Sequence, residues 1–441
     1  MKVRRMMNVS GSMSFSSCNA TKDGGAFTAD SVFVGGGAKL SFDKCRAKAG
    51  GALKLDMGFE QQGGDVSFRN CSTWGVGTQL MKLMSENARH GRGGGAIWIR
   101  NGNLTQTAGG LRFDGCSGVK GGAVYISEGH LILKGGKQDY VECVAISGGG
   151  GVFLHKGHVF QQKTDLTFQS CKAQRKGGAV DVSHGSYYQS PGTLLNITKC
   201  VARDHGGGLF ASESLHLADV DFHENFAWGS GMAAIARDDV VMDSMHFTGH
   251  GESVISAPLV VVQKTVNCTG SQQCRLRARE VQVNQFLCPI GAGRYKGRLA
   301  EGCLPCAAGR VQILEETNAS CAACPSNSFC SAQYLRAFPG YMVSSDNISR
   351  MYHCPNSMAC PGGDLPNKTK PMCRNGYTGL GCAECETATH GKSDGDILQC
   401  VPCANERWLQ AMQISWLIIK DALAFGIAGA SLIGDSLEEK Q

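Results

Sequence analysis

Proline is almost missing from the first 257 residues of this 441-residue chain: only Pro191 lies there, and the other ten fall between Pro258 and Pro402. Charged residues are few at 18%, and aromatic residues make up only 7%. No block of like charge dominates and 42% of residues are hydrophobic, which excludes a disordered chain. The net charge of +6 is scattered. A nucleic-acid binder clusters its Lys and Arg on one face, so no nucleic-acid partner is expected. Met1-Lys2-Val3-Arg4-Arg5 is followed by no run of 7–15 apolar residues, so no secretory leader is legible.

Glycine and cysteine are abundant instead, at 60 and 22. The glycines come in pairs and triplets rather than at every third position, which excludes collagen. They mark a repeat. An aromatic or aliphatic residue stands three positions before a cysteine at Phe15/Cys18, Phe42/Cys45, Phe68/Cys71, Phe113/Cys116, Tyr140/Cys143, Phe168/Cys171 and Ile197/Cys200. Phe222/Asn225 and Phe247/His250 continue the series with the partner changed. Steps between copies are 27, 26, 45, 27, 28, 29, 25 and 25 residues, the long one reflecting an insertion around Gly75–Gly91. A glycine doublet follows most copies, as in Gly24-Gly25-Ala26, Gly121-Gly122-Ala123 and Gly177-Gly178-Ala179.

Between the glycines, apolar residues alternate with period two, as in Ala123–Ser127 and Leu166–Phe168. That period predicts short strands with one buried face. A helical solenoid would not tolerate a Gly-Gly in each repeat. Each repeat is therefore expected to be a coil of short strands with glycine at its φ > 0 corners. Stacked, such coils make a mainly β fold, a parallel β-helix over residues 8–257, with nine copies giving a rod of roughly 40 Å. The Phe/Tyr positions then form an aromatic stack and the Cys positions a second column. Packed thiols are the expected reading of that column, because parallel ladder side chains need special rotamers to bridge. Disulfides between neighbouring coils are the competing reading.

Paired Gly-Gly-Ala and Phe-x-x-Asn units resemble the repeats of polymorphic outer-membrane proteins, a family of adhesins. Phe222-His223-Glu224-Asn225 with Gly229-Ser230-Gly231 looks like one such unit, the other copies like Phe-x-x-Cys variants. The likeness covers about residues 10–255. It implies a right-handed parallel β-helix of the pectin-lyase-like kind, displayed on a surface. Cysteine replaces most of the asparagines and no autotransporter barrel follows, so that family's secretion route does not carry over.

Fifteen cysteines crowd the next part: Cys268, Cys274, Cys288, Cys303, Cys306, Cys321, Cys324, Cys330, Cys354, Cys360, Cys373, Cys382, Cys385, Cys400 and Cys403. This density marks a disulfide scaffold. Four Cys-x-x-Cys pairs (303/306, 321/324, 382/385 and 400/403) also fit a zinc pattern in an intracellular chain. Nine Asn-x-Ser/Thr acceptors favour a glycosylated, secreted chain and therefore disulfides: Asn8, Asn19, Asn70, Asn103, Asn196, Asn267, Asn318, Asn347 and Asn367. Connectivity stays open. Cys288-Pro289-x-Gly291, Tyr295 and the pairs that follow resemble the cysteine-rich module of ephrin receptors, over 268–335. Cys373–Cys382, with Gly376-Tyr377-Thr378-Gly379, resembles the last loop of an EGF or laminin-EGF unit, over 350–404. That resemblance implies an aromatic packed against a disulfide, in structural or binding modules. No cofactor and no metal are expected.

Ala411–Gly434 is 24 residues long, broken only by Lys420 and Asp421, and is expected to span a membrane within 408–434. With no leader and no cap before the first repeat, the chain is expected to be a fragment of a larger surface protein. A catalytic role is not expected. Asp238-Asp239 and Gly249-His250-Gly251 resemble polygalacturonase motifs, but only eleven positions separate Asp239 from His250, under half a coil. Leu80, Met81, Leu83 and Met84, within Thr78–Ala88, have helical spacing and form the best candidate for a protruding contact loop. The expected function is a cell-surface or secreted adhesin-like protein, its ectodomain outside the cell membrane, recognising an unknown protein or glycan. A carbohydrate-active β-helix enzyme and an intracellular zinc protein are the alternatives.

Overall fold

The computed structural model describes residues 2–74, 93–313, 317–343, 350–365, 373–387, 389–393, 395–403 and 411–425. The insertion at Gly75–Gly91 lies outside them. Two compact units divide the chain, the first being Met1–Ala322 with Ser331–Gln333 and the second Ala323–Cys330 with Tyr334–Gln441.

The first unit is a parallel β-solenoid. One coil runs through Val124–Glu128, Leu131–Leu133, Gly136–Val141 and Val144–Ala145, and each strand pairs in parallel with its counterpart one coil on. These are the first to fourth sides of the coil. Phe15, Phe42, Phe68, Phe113, Tyr140, Phe168, Ile197, Phe222 and Phe247 are successive register partners on the third side. Their rings stack, with centroids 4.7 Å apart for Phe42–Phe68, 5.0 Å for Phe68–Phe113 and 4.8 Å for Phe113–Tyr140. Offset stacking at this spacing adds to the gain from burying the rings.

Glycine acts at the corner in two ways. Gly121 has φ +66°, which glycine adopts without strain. Gly122 does not need that freedom. A Cβ there would lie 1.9 Å from the Gly150 carbonyl oxygen of the next coil, so the doublet's second glycine permits backbone to lie on backbone. The opposite corner, just before each column cysteine, is also left-handed but mostly lacks glycine: Lys44, Asn70, Glu142 and Lys199 all have φ near +50°.

The first side departs from the one-buried-face expectation. Its outward ladder runs Trp98, Tyr125, Phe153, Asp181, Phe210, all buried. Residues near the glycine corner cover it, with the Lys120 ammonium 5.7 Å from the Tyr125 and Phe153 ring centroids and that of Lys176 4.3 Å from Phe210. Period two reports which way side chains point, not whether another layer lies above them.

Buried glutamines hold a further corner. Gln161 Nε2 donates to the carbonyls of Thr164 (2.8 Å) and Leu194 (2.9 Å), and its Oε1 accepts from the Tyr187 hydroxyl (2.8 Å). Gln61, Gln106 and Gln189 donate in the same way one or more coils away. Gln161→Met should cost about 2–4 kcal/mol in urea unfolding, because it leaves buried acceptors and a hydroxyl unpaired.

The parallel stack continues past residue 257. Asp239–Ser256 pairs in parallel with Leu259–Arg277, and that strand with Glu280–Leu287. Val240 pairs with Val260 and Val260 with Val281, so a coil has shortened to about 20 residues. The glycine doublets and Phe-x-x-Cys pairs vanish with the shortening, which hides these coils from the repeat signal. Ala300–Pro305 then pairs antiparallel with Leu259–Arg277. Arg294 lies over Phe286 at 5.2 Å, and its Nε donates to buried Glu301 at 2.7 Å.

The strands of the second unit are short and pair antiparallel, such as Tyr341–Val343 with Met351–His353 and Tyr377–Thr378 with Glu384–Cys385. Its small core is Cys354, Ala359, Cys360, Cys373 and Cys382, with Met342 and Tyr377 packed on it. The expected contact of an aromatic with cystine is therefore present at Tyr377.

The expected membrane span, 408–434, falls only partly within the described residues: 408–410 and 426–434 lie outside them. Residues 411–425 are helix. Among the described residues no helix is long and apolar enough to cross a membrane. Lys420 and Asp421 lower its hydropathy near the middle of the expected span.

Candidate functional site

The cysteines separate into two chemistries. Cys45, Cys71, Cys116, Cys143, Cys171 and Cys200 are fully buried and unbridged, and Cys18 is half-buried and also free. The thiols donate to backbone carbonyls of their own and the preceding coil, as Cys171 does to Tyr140 at 3.6 Å and Gln169 at 3.8 Å. The Cys143 thiol also donates to the Val141 carbonyl at 3.4 Å. Stacked strands hold equivalent Cβ atoms about 4.8 Å apart, beyond the 3.5–4.5 Å a disulfide prefers, and that spacing keeps the column reduced. Burial pushes the Cys143 and Cys200 thiols well above their usual range, and Cys18 up to about 11. Such thiols are poor nucleophiles and act as small apolar side chains. Asn225 ends the column, accepting the Cys200 N–H at 2.9 Å.

Fourteen of the fifteen later cysteines form seven disulfides: 268–274, 288–303, 306–321, 324–330, 354–360, 373–382 and 385–400. Cys403, expected to join them, is free and exposed. It is the odd thiol of its group, since Cys400 pairs with Cys385. No Cys-x-x-Cys pair acts as a unit. Cys303 and Cys306 reach to different partners, as do Cys382 and Cys385. Cys268, Cys274 and Cys303 approach one another closely, as do Cys354, Cys360 and Cys382, but all six belong to disulfides. Cystine sulfur has no thiolate to offer a zinc ion.

With the core filled, the outer sides carry what chemistry there is. A groove of about 450 Å³ lies on the third side, lined by Leu194, Asp219, Asp221, Met245, His246 and Asn267 among others. The strand Leu215–His223 sends Asp219 and Asp221 to the same face, two residues and about 7 Å apart. Asp221 sits in register between Asn196 and His246, and His246 beside Asn267. A register shift between Met242 and Met245 locally breaks the even ladder here. Thr248 Oγ1 donates to Asp221 at 3.4 Å and lies 2.7 Å from His223 Nδ1. The groove thus offers carboxylates, an imidazole and an amide, groups that bind a hydroxyl-rich ligand. Alternation on the strand makes Asp219 and Asp221 legible as a pair, but their partners come from coils 25 or more residues away.

The second side carries an aromatic strip, half-buried at Phe160 and His216 and exposed at Tyr188. Phe160 stacks on Tyr188 at 5.5 Å, and Tyr188 on His216 at 5.0 Å. Tyr188 is 37% exposed.

The polygalacturonase-like residues are not brought together. Asp239 opens the second side and accepts from the Ser214 hydroxyl, whereas Gly249-His250-Gly251 lies beyond Phe247 on the third side of the same strand. Among the glycan acceptors, Asn8, Asn19, Asn70 and Asn318 are exposed, and Asn103, Asn196 and Asn267 half-buried. Asn347 and Asn367 lie outside the described residues. Asn267 lines the groove and Asn196 is the register partner of Asp221 beside it, so a sugar attached at Asn267 would cover it. Comparison with protein-family models, with curated proteins and with solved structures finds no match to this chain, and the likeness to adhesin repeats and EGF units rests on its residues alone.

Proposed function

We propose that this chain is a secreted or cell-surface structural and recognition protein, adhesin-like, whose solenoid presents its outer sides to a protein or glycan partner. The observation that carries this reading is the set of seven disulfides between Cys268 and Cys400. Bridges at that density form and persist in oxidising compartments outside the cytosol. Exposed glycan acceptors support it, and the filled core leaves recognition to the outer surface. We also infer right-handed winding of a pectin-lyase-like kind, because parallel crossover connections are almost always right-handed. The later cysteine-rich segments serve as ephrin-receptor-like and EGF-like modules of structural use.

Expression through a secretory pathway followed by glycan mapping tests the reading. Occupied sites at Asn19, Asn70 and Asn318 are expected. Bare asparagines with free thiols throughout 268–400 would overturn it in favour of an intracellular protein. A second reading, a polysaccharide-cleaving enzyme, draws on Asp219 and Asp221, two carboxylates that line the same groove. Incubation with polygalacturonate is expected to release no new reducing ends. Release that Asp221→Asn abolishes would establish that enzyme instead.

A further inference from the structure

At the corner leading into the second side, Asn103, His130, His158, Ser186 and Ser214 occupy one position in successive coils. Each side chain accepts the backbone N–H of its successor. Asn103 Oδ1 takes the His130 amide at 2.8 Å, His130 Nδ1 the His158 amide at 3.1 Å, His158 Nδ1 the Ser186 amide at 3.1 Å, and Ser186 Oγ the Ser214 amide at 3.3 Å. A backbone N–H can only donate. Both imidazoles must therefore keep Nδ1 unprotonated and carry their proton on Nε2. Amide and hydroxyl oxygens do the same work in the coils on either side without this condition.

We propose that the His130–His158 pair is a pH-sensitive latch, tying three successive coils together while neutral and releasing them when protonated. A proton on Nδ1 sets N–H against N–H, so both corner bonds fail. The rings are also stacked, with centroids 5.5 Å apart and planes 10° from parallel, so two cations there repel.

The surrounding charges do not offset this. Glu128 and Lys156, just before the corner, pair with each other at 3.2 Å, and Glu213 accepts from the Ser186 hydroxyl at 3.1 Å. Tyr188 contacts the His158 ring at 5.9 Å. His155 and His184 form an edge contact at 5.2 Å, with His184 Nδ1 against the His155 carbonyl at 3.0 Å. Burial, then Lys120, His184 and Lys156, hold His155 below its ordinary value against the opposing pull of Glu128. Burial, then His158, likewise hold His130 below 6.5. The unfolded chain takes up this proton near pH 6.5, before the folded one does. The stability His130 contributes is present above that pH and is lost as pH falls through its folded-state value. Both rings lean on Phe160, so the latch also supports the aromatic strip of the second side.

Amide exchange in the intact protein at pH 7.5 and 5.5, corrected for intrinsic rates, reads the latch directly. The His158 and Ser186 amides should lose at least ten-fold more protection on acidification than the His130 and Ser214 amides, which bond to oxygen at the same corner. The double variant His130→Asn/His158→Asn, copying Asn103, should keep protection at both pH values. Equal loss at all four amides, or the same selective loss in the variant, would overturn the proposal. Should the variant not fold, the four-amide comparison in the unaltered chain decides alone.

Discussion

Phe113→Ala should destabilise the solenoid by about 3–5 kcal/mol, whereas Phe113→Ile should cost under about 2 kcal/mol. Phe113 is fully buried between the rings of Phe68 and Tyr140, at 5.0 and 4.8 Å. Alanine leaves a ring-sized void, and stacked backbones held by ladder hydrogen bonds cannot collapse into it. Isoleucine fills most of the space, as Ile197 does in the same column between Phe168 and Phe222. The form of the loss matters as much as its size. In a one-dimensional array each coil touches only its neighbours, so removing a middle rung uncouples the two halves. Urea unfolding of the alanine variant, followed by fluorescence and amide exchange, is expected to split into two transitions. A single cooperative transition with a loss under 1 kcal/mol would mean that the aromatic column does not hold the coils together.

Asp181→Asn is expected to stabilise the protein at pH 8 and to have no effect near pH 4. Asp181 is 3% exposed in a ladder that is otherwise aromatic, between Phe153 and Phe210. Burial raises its carboxyl to about 7, although the Ser183 hydroxyl at 3.1 Å and the charges of Lys176, Arg175 and Lys120 pull the other way. The unfolded chain ionises near 3.8. Below that pH both states are protonated and the residue costs nothing. Between 3.8 and 7 the unfolded state alone ionises, so stability falls as pH rises, and above 7 the full penalty applies. At about 1.4 kcal/mol for each pKa unit, that penalty is on the order of 4 kcal/mol. The direction is opposite to that of the histidine latch, which weakens the fold on acidification. Thermal melts of the Asp181→Asn variant from pH 4 to 8 isolate the aspartate. A difference from the unaltered chain that does not change with pH would show that its carboxyl ionises normally in the fold.

Much of the solenoid is legible in the sequence, because a coil that repeats must repeat its corners and its core. The Phe-x-x-Cys spacing places nine residues that prove to be register partners. The same spacing locates the thiol column, and the packed-thiol reading holds because a parallel ladder keeps Cβ atoms apart. Other features escape for identifiable reasons. Val260 and Val281 continue the stack with neither glycine doublet nor aromatic, since a coil of about 20 residues turns differently. Gly122 looks like a turn residue, yet its role is contact with the coil above. Gln161 and Asp181 look like surface residues because a polar side chain gives no sign of the corner or covering layer that buries it. The His130–His158 corner escapes the sequence because neither residue stands out without knowledge of which coil position they share. The grooved third side was only half visible. Asp219 and Asp221 alternate plainly on one strand, but His246 and Asn267 join them through coil stacking alone.

Peptide mapping without reduction, after alkylation in denaturant, tests the division of cysteines most directly. Eight alkylated cysteines are expected, the seven of the column and Cys403, together with the seven bridges from 268–274 to 385–400. A bridge joining any two of Cys18, Cys45, Cys71, Cys116, Cys143, Cys171 and Cys200 would contradict the packed column. Free thiols in place of the seven bridges would contradict the crosslinked second part.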